Sequence, residues 1–399
     1  MEVRVIRGEN QIGGSIIEVA SETTRLVLDV GSELGEETPI APPVEGLFQG
    51  KAVYDGVLVS HYHGDHFGLA GQVVEGIPLF VGEKAYAVYK AQQTYTKGPI
   101  VEGMHTFAPN ERFTIGDIRI TPYLCDHSAF DSYMFLLEAE GEKVLYTGDF
   151  RSNGRKNFDW LLSRLPKVDK LIIEGTTLTG SHAVAKTEAE LEEEAVRMVR
   201  EVPGKPVFVC MAATNIDRIV TFFRVAQQTN RTFLEDTYAA TITSAIGETI
   251  PNPSFRNVKV FLTHPKYHEI LQHFPESKIG RERIARTDFV MMVRSSMTSY
   301  LEKLADEMDF TGGILFYSLW GGYKKDEYTA NFLKRMDELG LRVVDLHTSG
   351  HADETAIKKL IDKTEPKEIF PVHTENAAWF DRFRAAGLPP RPQAIRHSL

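Results

Sequence analysis

The sequence predicts an α/β fold, with packed β-sheets covered by helices and interrupted by an inserted unit of parallel α/β type. Three observations predict it. Up to about residue 175 the chain is rich in short apolar runs bounded by turn residues. After Thr177 the rhythm changes to alternating strand and helix, the pattern of a parallel α/β unit. The last stretch then supplies one more helix and strand, "DETAIKKLIDKT" and "KEIFPVH".

Taken in order, "MEVRVIRGEN" alternates apolar and polar residues like a first strand and lacks the apolar core of a secretory signal. "SIIEVA", "RLVLDVG", "GVLVSH", "IPLFVG", "DIRITPYL", "SYMFLLEAEG", "KVLYTGD" and "KLIIEG" read as further strands. Few long helical patterns separate them, so hairpins should dominate. "KTEAELEEEAVRMVREV" sets Leu191, Ala195 and Met198 at helical spacing, with acids early and arginines late, as a helix prefers. "PVFVC" follows as a strand, "NIDRIVTFFRVAQQT" as a helix and "TFLED" as a strand. In "DETAIKKLIDKT" Ala356 stacks on Leu360 and Ile357 on Ile361, with Asp353 as N-cap. A strand ending in His373 and a short helical tail complete the chain. The changes of rhythm divide it into 1–177, an insertion 178–346, and a return segment 347–399.

Apolar content of 42% and charge of 25% are those of a soluble globular protein. The apolar runs around Ile314–Trp320 and Phe289–Val293 are too short to span a bilayer, so no membrane role and a cytoplasmic location are expected. Cys125 and Cys210 make neither a disulfide framework nor a thiolate cluster. A formal charge of −10 argues against indiscriminate coating of nucleic acid, which runs on phosphate neutralisation, but is compatible with a local basic groove.

The chemistry concentrates in "LVSHYHGDHFG", which packs His61, His63, Asp65 and His66 behind an apolar strand. Alternate residues of an extended segment point the same way, so His61 and His63 can share a metal. Asp65 and His66 lie where the chain turns toward a helix and can serve a second. Imidazole and carboxylate suit zinc, and also manganese or iron. Two metals need more ligands, and His127 in "LCDHSAFDS", Asp149 in "LYTGDFR" and His373 in "FPVHTE" each follow an apolar strand. A lone histidine in such a place is more often structural; together they complete two coordination spheres.

This set resembles the metallo-β-lactamase fold superfamily, with its H-x-H-x-D-H motif and later histidine and aspartate. The resemblance implies an αββα sandwich with two Zn²⁺ (or Mn²⁺ or Fe) at one edge. It assigns His61, His63 and His127 to the first metal, Asp65, His66 and His373 to the second, and Asp149 to a bridge between them. Asp29, in "LVLDVG", matches the carboxylate that orients the ligand loop.

Glu174 in "KLIIEG" and His351 in "HTSGHADE", the latter 22 residues before His373, make the chain similar to the β-CASP branch and to ribonuclease J-like hydrolases without the extra C-terminal domain. These insert a cap between the acid and the histidine. The stretch "TNIDRIVTFFRVAQQTNRTFLED" resembles the start of that cap. His351 precedes a helix N-terminus, where backbone N–H groups favour a phosphate, and can protonate a leaving alkoxide while Glu174 holds its ring. His347 is the competing candidate; the 22-residue step favours His351. The resemblance therefore implies a dinuclear metal-dependent phosphodiesterase. Hydroxide between the metals would attack single-stranded RNA, with Asp65, Asp149, Glu174 and His351 as catalytic groups. A hydrolase of lactones, esters or β-lactams on the same metals is the alternative, and a non-catalytic RNA-binding scaffold a third reading. Homo-oligomers are common in the family.

Three cations follow the bridging aspartate in "GDFRSNGRKN": Arg151, Arg155 and Lys156, which are candidates for flanking phosphates and equally for solvated charges. "SLWGGYKK" offers Trp320 and Tyr323 for base stacking, with core packing the stronger expectation for Trp320. The basic stretch from Lys266 to Arg286 reads as a solvated face. Where ribonuclease J carries a Gly-Ser-Gln-Gly-Glu stretch that helps hold RNA, this chain departs from it with "VMMVRSSMTSYL".

Overall fold

Strand alternation sends neighbouring side chains to opposite faces, and each sheet of this chain buries both. The computed structural model describes residues 1–36, 38–179 and 185–383. The first sheet carries β1 (Glu2–Arg7), β2 (Ile16–Ala20), β3 (Arg25–Leu28), β4 (Gly56–Leu58), β5 (Leu79–Gly82) and β6 (His105–Phe107) in that spatial order. β1 to β3 pair antiparallel and β3 to β6 parallel. Two helices belong to this part, the single turn α1 (Gly64–Phe67) and the longer α2 (Glu83–Thr96).

The second sheet begins as a meander of β7 (Phe113–Ile115), β8 (Ile118–Cys125), β9 (Ser132–Ala139) and β10 (Glu142–Tyr146). After α3 (Phe158–Arg164), β11 (Lys170–Glu174) joins β10 in parallel. Leu26, Leu28 and Leu58 of the first sheet meet Phe135, Tyr146 and Ile172 of the second in a buried core between them. Val27 and Val57 face the other way, among side chains of α2, while Leu171 and Ile173 pack with α3. The expected αββα sandwich is the result.

From β11 the chain leaves the sandwich. It builds α4 (Glu188–Arg200), β12 (Val207–Cys210), α5 (Ile216–Gln228), β13 (Thr232–Asp236), α6 (Thr237–Ile246) and β14 (Val258–Phe261). It continues through α7 (His268–Leu271), α8 (Arg281–Ile284), β15 (Phe289–Val293), α9 (Thr298–Ala305), β16 (Ile314–Tyr317), α10 (Glu327–Glu338) and β17 (Arg342–Asp345). The six strands form one parallel sheet in the order β14-β13-β15-β12-β16-β17. α11 (Glu354–Thr364) and β18 (Glu368–Val372) then return, with β18 parallel to β11 at the edge of the second sheet. One apolar cluster runs unbroken from the outer face of the first sheet through α2 into α4, α5, α6 and the third sheet.

Several elements differ from the sequence reading. α2, β6 and β7 were not expected. Trp320 is 63% exposed, not a core residue, because it starts a 3-10 turn beyond the end of β16; there it meets Tyr323 edge to face at 5.4 Å. A 3-10 turn, Ala377–Phe383, stands where the helical tail was expected, and the remainder of that tail lies outside the described residues. Cys125 and Cys210 are buried free thiols. Among the described residues no helix is long and apolar enough to cross a membrane.

Candidate metal centre

The loop carrying His61, His63, Asp65 and His66 follows β4 and is held by the segment after β3 and by Ser15. Val30 N–H donates to the His66 carbonyl at 2.8 Å, Ser32 N–H to Gly64 at 2.9 Å, and Ser15 N–H to Asp65 at 3.0 Å. Gly31 lies so close that a Cβ there would stand 1.7 Å from the Asp65 carbonyl oxygen, so only glycine lets the two segments touch. Gly148 has φ +51° and a Cβ would press on Ser60, which sets the turn that presents Asp149.

Asp149 Oδ2 is the middle of the cluster. It lies 3.2 Å from His66 Nε2, 3.4 Å from His351 Nδ1, 3.8 Å from His373 Nε2, 3.9 Å from His61 Nε2 and 4.0 Å from His127 Nε2. On one side His63 Nδ1 and His127 Nε2 converge to 3.2 Å beside His61; on the other Asp65 Oδ2 and His373 Nε2 stand 3.0 Å apart beside His66. Five segments of the chain thus bring His61, His63, Asp65, His66, His127, Asp149, His351 and His373 together.

An outer ring of hydrogen bonds fixes which nitrogen His61, His66, His127 and His373 offer. His127 Nδ1–H donates to the Gly350 carbonyl at 2.6 Å, leaving Nε2 for the cluster. Asp29, at the end of β3, accepts from Ser60 N–H, Ser60 Oγ, Tyr146 OH and His66 Nδ1 at 2.5–2.7 Å. The same Ser60 hydroxyl lies 3.0 Å from His61 Nδ1. His373 Nδ1 sits 2.7 Å from Thr176 Oγ1, whose O–H donates to Glu174 Oε2 at 2.7 Å. Glu174 Oε1 accepts from Phe150 N–H at 2.8 Å and Ala352 N–H at 3.4 Å, and Oε2 lies 3.2 Å from His351 Nδ1. Glu174 thereby ties together the Asp149, His351 and His373 loops. Asp29 and His373 both take left-handed backbone, φ 59° and 49°, a strain that side chains tolerate only when the surroundings enforce it.

The electrostatics divide the cluster. Burial, reinforced by neighbouring imidazoles, holds His61 and His127 well below the usual histidine range, and burial pushes His63 down to about 4. Burial opposes charge on His351 too, but Glu174 and Asp149 outweigh it and raise the group to about 9. Burial also works against the Asp149 and Asp65 carboxylates, yet the surrounding histidines hold both below the usual carboxylate range. His61, His63 and His127 are thus in the neutral form that binds a cation, whereas at His66 burial is outweighed by Asp149 and Asp29, which raise the group well above the usual histidine range. His61 Nε2, His66 Nε2, both Asp149 oxygens and His351 Nδ1 are buried without a hydrogen-bond partner among the described residues. Unpartnered buried polar atoms are costly, and a metal ion facing His61 Nε2, His66 Nε2 and Asp149 would satisfy those, while His351 Nδ1 faces Glu174 and Asp149 at 3.2 and 3.4 Å.

The expected phosphate-binding cations fare differently. Arg151 is a correction: it is 1% exposed, with its guanidinium committed to Asp126, Glu188 and Asp217, so it has no face to offer a substrate. Arg155 donates to Glu192 and to Thr221, both at 2.8 Å. Lys156 makes no ion pair among the described residues, and its Nζ stands 5.5 Å over the Phe130 ring. His347 lies apart from the cluster, 3.4 Å from the Ser318 carbonyl. Sequence reasoning missed Ser60, Tyr146 and Thr176, single hydroxyls on ordinary strand and loop positions.

Comparison with known proteins fits this geometry. The model of the Beta-lactamase superfamily domain matches residues 24–210, and that of the Zn-dependent metallo-hydrolase RNA specificity domain matches residues 338–382. Ribonuclease J of Sinorhizobium meliloti is 18% identical across 87% of this chain and 62% of its own length. Ribonuclease J of Thermus thermophilus is 23% identical across 94% of this chain and 68% of its own. The RNase J-like protein of Methanocaldococcus jannaschii is 29% identical across 53% and 52%. The chain therefore spans about half to two thirds of the length of these relatives. A crystal structure of a protein of unknown function from Enterococcus faecalis V583 superposes with a TM-score of 0.80 at 19% identity over 98% of both chains, which shows the shared fold.

Proposed function

Because the chain belongs to the metallo-β-lactamase superfamily, in its ribonuclease J-like branch, we propose that it is a metal-dependent phosphodiesterase that cleaves single-stranded RNA. The observation that carries the reading is the convergence of five imidazoles on Asp149 Oδ2, with His351 backed by Glu174. His61, His63 and His127 would hold one cation, and Asp65, His66 and His373 a second, with Asp149 between them. Two Zn²⁺ ions, when bound, supply the Lewis acidity that makes water nucleophilic near neutral pH and that neutralises a phosphodiester.

The rest of the work falls to the chain itself. Asp65 and Asp149, held ionised, accept hydrogen bonds from the attacking water and aim it at phosphorus. His351, with Nδ1 3.2 Å from Glu174 Oε2, gives a proton to the leaving oxygen. Glu174 holds the His351 loop through the Ala352 N–H. Residues 178–346 act as a cap, and RNA lies between cap and sandwich.

One observation favours the rival hydrolase of lactones, esters or β-lactams: Arg151 and Arg155 are taken by carboxylates, which removes two cations expected for flanking phosphates. The zinc- or manganese-loaded protein separates the two when given end-labelled RNA, single-stranded DNA, a chromogenic β-lactam and a lactone. RNA cleavage is expected, falling about 10²- to 10⁴-fold in His351→Ala, the usual contribution of a general acid. Lactone turnover indifferent to His351→Ala, with no RNA cleavage, overturns the nuclease reading. Activity that survives Asp149→Ala overturns the metal mechanism.

A further inference from the structure

Arg151 stands two residues after Asp149 and reaches four other segments of the chain. Its Nε donates to Asp126 Oδ1 at 2.6 Å, and Asp126 immediately precedes His127. One terminal nitrogen donates to Glu188 Oε1 at 3.2 Å and to the Ser349 carbonyl at 3.3 Å, two residues before His351. The other donates to Asp217 Oδ2 at 2.6 Å. Glu188 opens α4 and Asp217 lies in the first turn of α5, both in the proposed cap. Arg218 grips Glu188 from its other side, at 3.0 and 3.2 Å, and reaches Ser318 and the Leu346 carbonyl. The Arg151 and Arg218 side chains have no exposed surface.

Buried ion clusters contribute little net stability, because desolvation offsets attraction, but they are demanding about geometry. A guanidinium fork satisfies several acceptors only in one relative arrangement, and an ammonium cannot replace it. We propose that Arg151 is a positioning residue: it joins the loops carrying His127, Asp149 and His351 to α4 and α5, so that cap register and site geometry are set together. The catalytic half of this statement rests on the phosphodiesterase reading; the mechanical half does not.

The test uses the full, zinc-loaded chain with Arg151→Lys and, separately, Asp217→Asn, a cap-side change outside the metal cluster. Nitroxide labels at Asp159→Cys on the sandwich and Lys325→Cys on the cap report the distance between the two; both native cysteines are buried. The parent should give one narrow distance distribution and both variants a broadened one. With bis(p-nitrophenyl) phosphate at saturating zinc, kcat should fall about 10- to 100-fold while KM holds, as misplacement of catalytic groups does. Lysine should fail to rescue, although it keeps the charge. A parent-like distance distribution in folded variants overturns the proposal, as does a parent-like kcat. If Arg151→Lys does not fold, Asp217→Asn decides. If the parent turns over no phosphodiester, the phosphodiesterase reading falls, and the distance measurement alone decides the role of Arg151.

Discussion

Asp29 faces away from the middle of the cluster, yet it determines how His66 is presented. Its carboxylate accepts the Nδ1 proton, which leaves Nε2 as the only lone pair His66 can offer. Asp29→Asn puts an amide among four donors, and at least one of them loses its acceptor. Outer partners of this kind are worth about 10- to 100-fold in metal affinity. Zinc competition against a chromophoric chelator should register that loss, and unchanged affinity would remove Asp29 from the account. The candidate ligands were legible because four of them crowd one loop, which ordinary composition does not produce. Ser60, Tyr146 and Thr176 were not, since a hydroxyl at a strand end carries no pattern until its partner is known. Arg151 was misread for the same reason: its carboxylates at Glu188 and Asp217 lie 37 and 66 positions further along.

At the level of elements, α11 carries the consequence of a single cap. Asp353 accepts the Ala356 N–H at 2.8 Å, and the segment just before it presents His351. Asp353→Ala should cost about 1 kcal/mol, read as a lower urea midpoint with an unchanged slope. A midpoint equal to the parent's would mean that the helix start is held by packing alone. This helix was readable because both its cap and its i,i+4 stripe are in the sequence. α2 was hidden: its buried face mixes Tyr86, Tyr89 and Tyr95 with small residues, and tyrosine signals strand as readily as helix. β6 and β7, three residues each, are too short to show alternation.

For the whole molecule, the change of rhythm after Thr177 was legible because strand and helix periods differ, whereas the pairing of β18 with β11 was not, since 198 positions separate each residue from its partner. Two measurements address the chain as a unit. Zinc should raise the melting temperature, by about 2.7 kcal/mol of stability at a free concentration about 100 times Kd, and a chelator should reverse it. A metal-independent melting temperature contradicts the centre. The second concerns Glu235, fully buried in the third sheet, where burial raises its carboxyl from 4.5 to about 8. The folded chain keeps this proton while the unfolded chain releases it, so stability falls as pH rises between those values. Glu235→Gln should therefore gain on the parent, by a few kcal/mol in order of magnitude, between about pH 5 and about pH 8. A pH-independent difference between the two would show that the carboxyl ionises normally. The contact between Asp65 and His373 spans 308 residues, and it bears on how the protein is born. On the ribosome, His61, His63, His127 and Asp149 emerge well before His351 and His373, which follow Asp149 by 202 and 224 positions. Until then the chain has His61, His63 and His127 but lacks both the Asp65–His373 contact and His351 beside Glu174. The proposed cleavage of RNA would then have to wait for these later segments, so the nascent chain would be inert beside the messenger that encodes it.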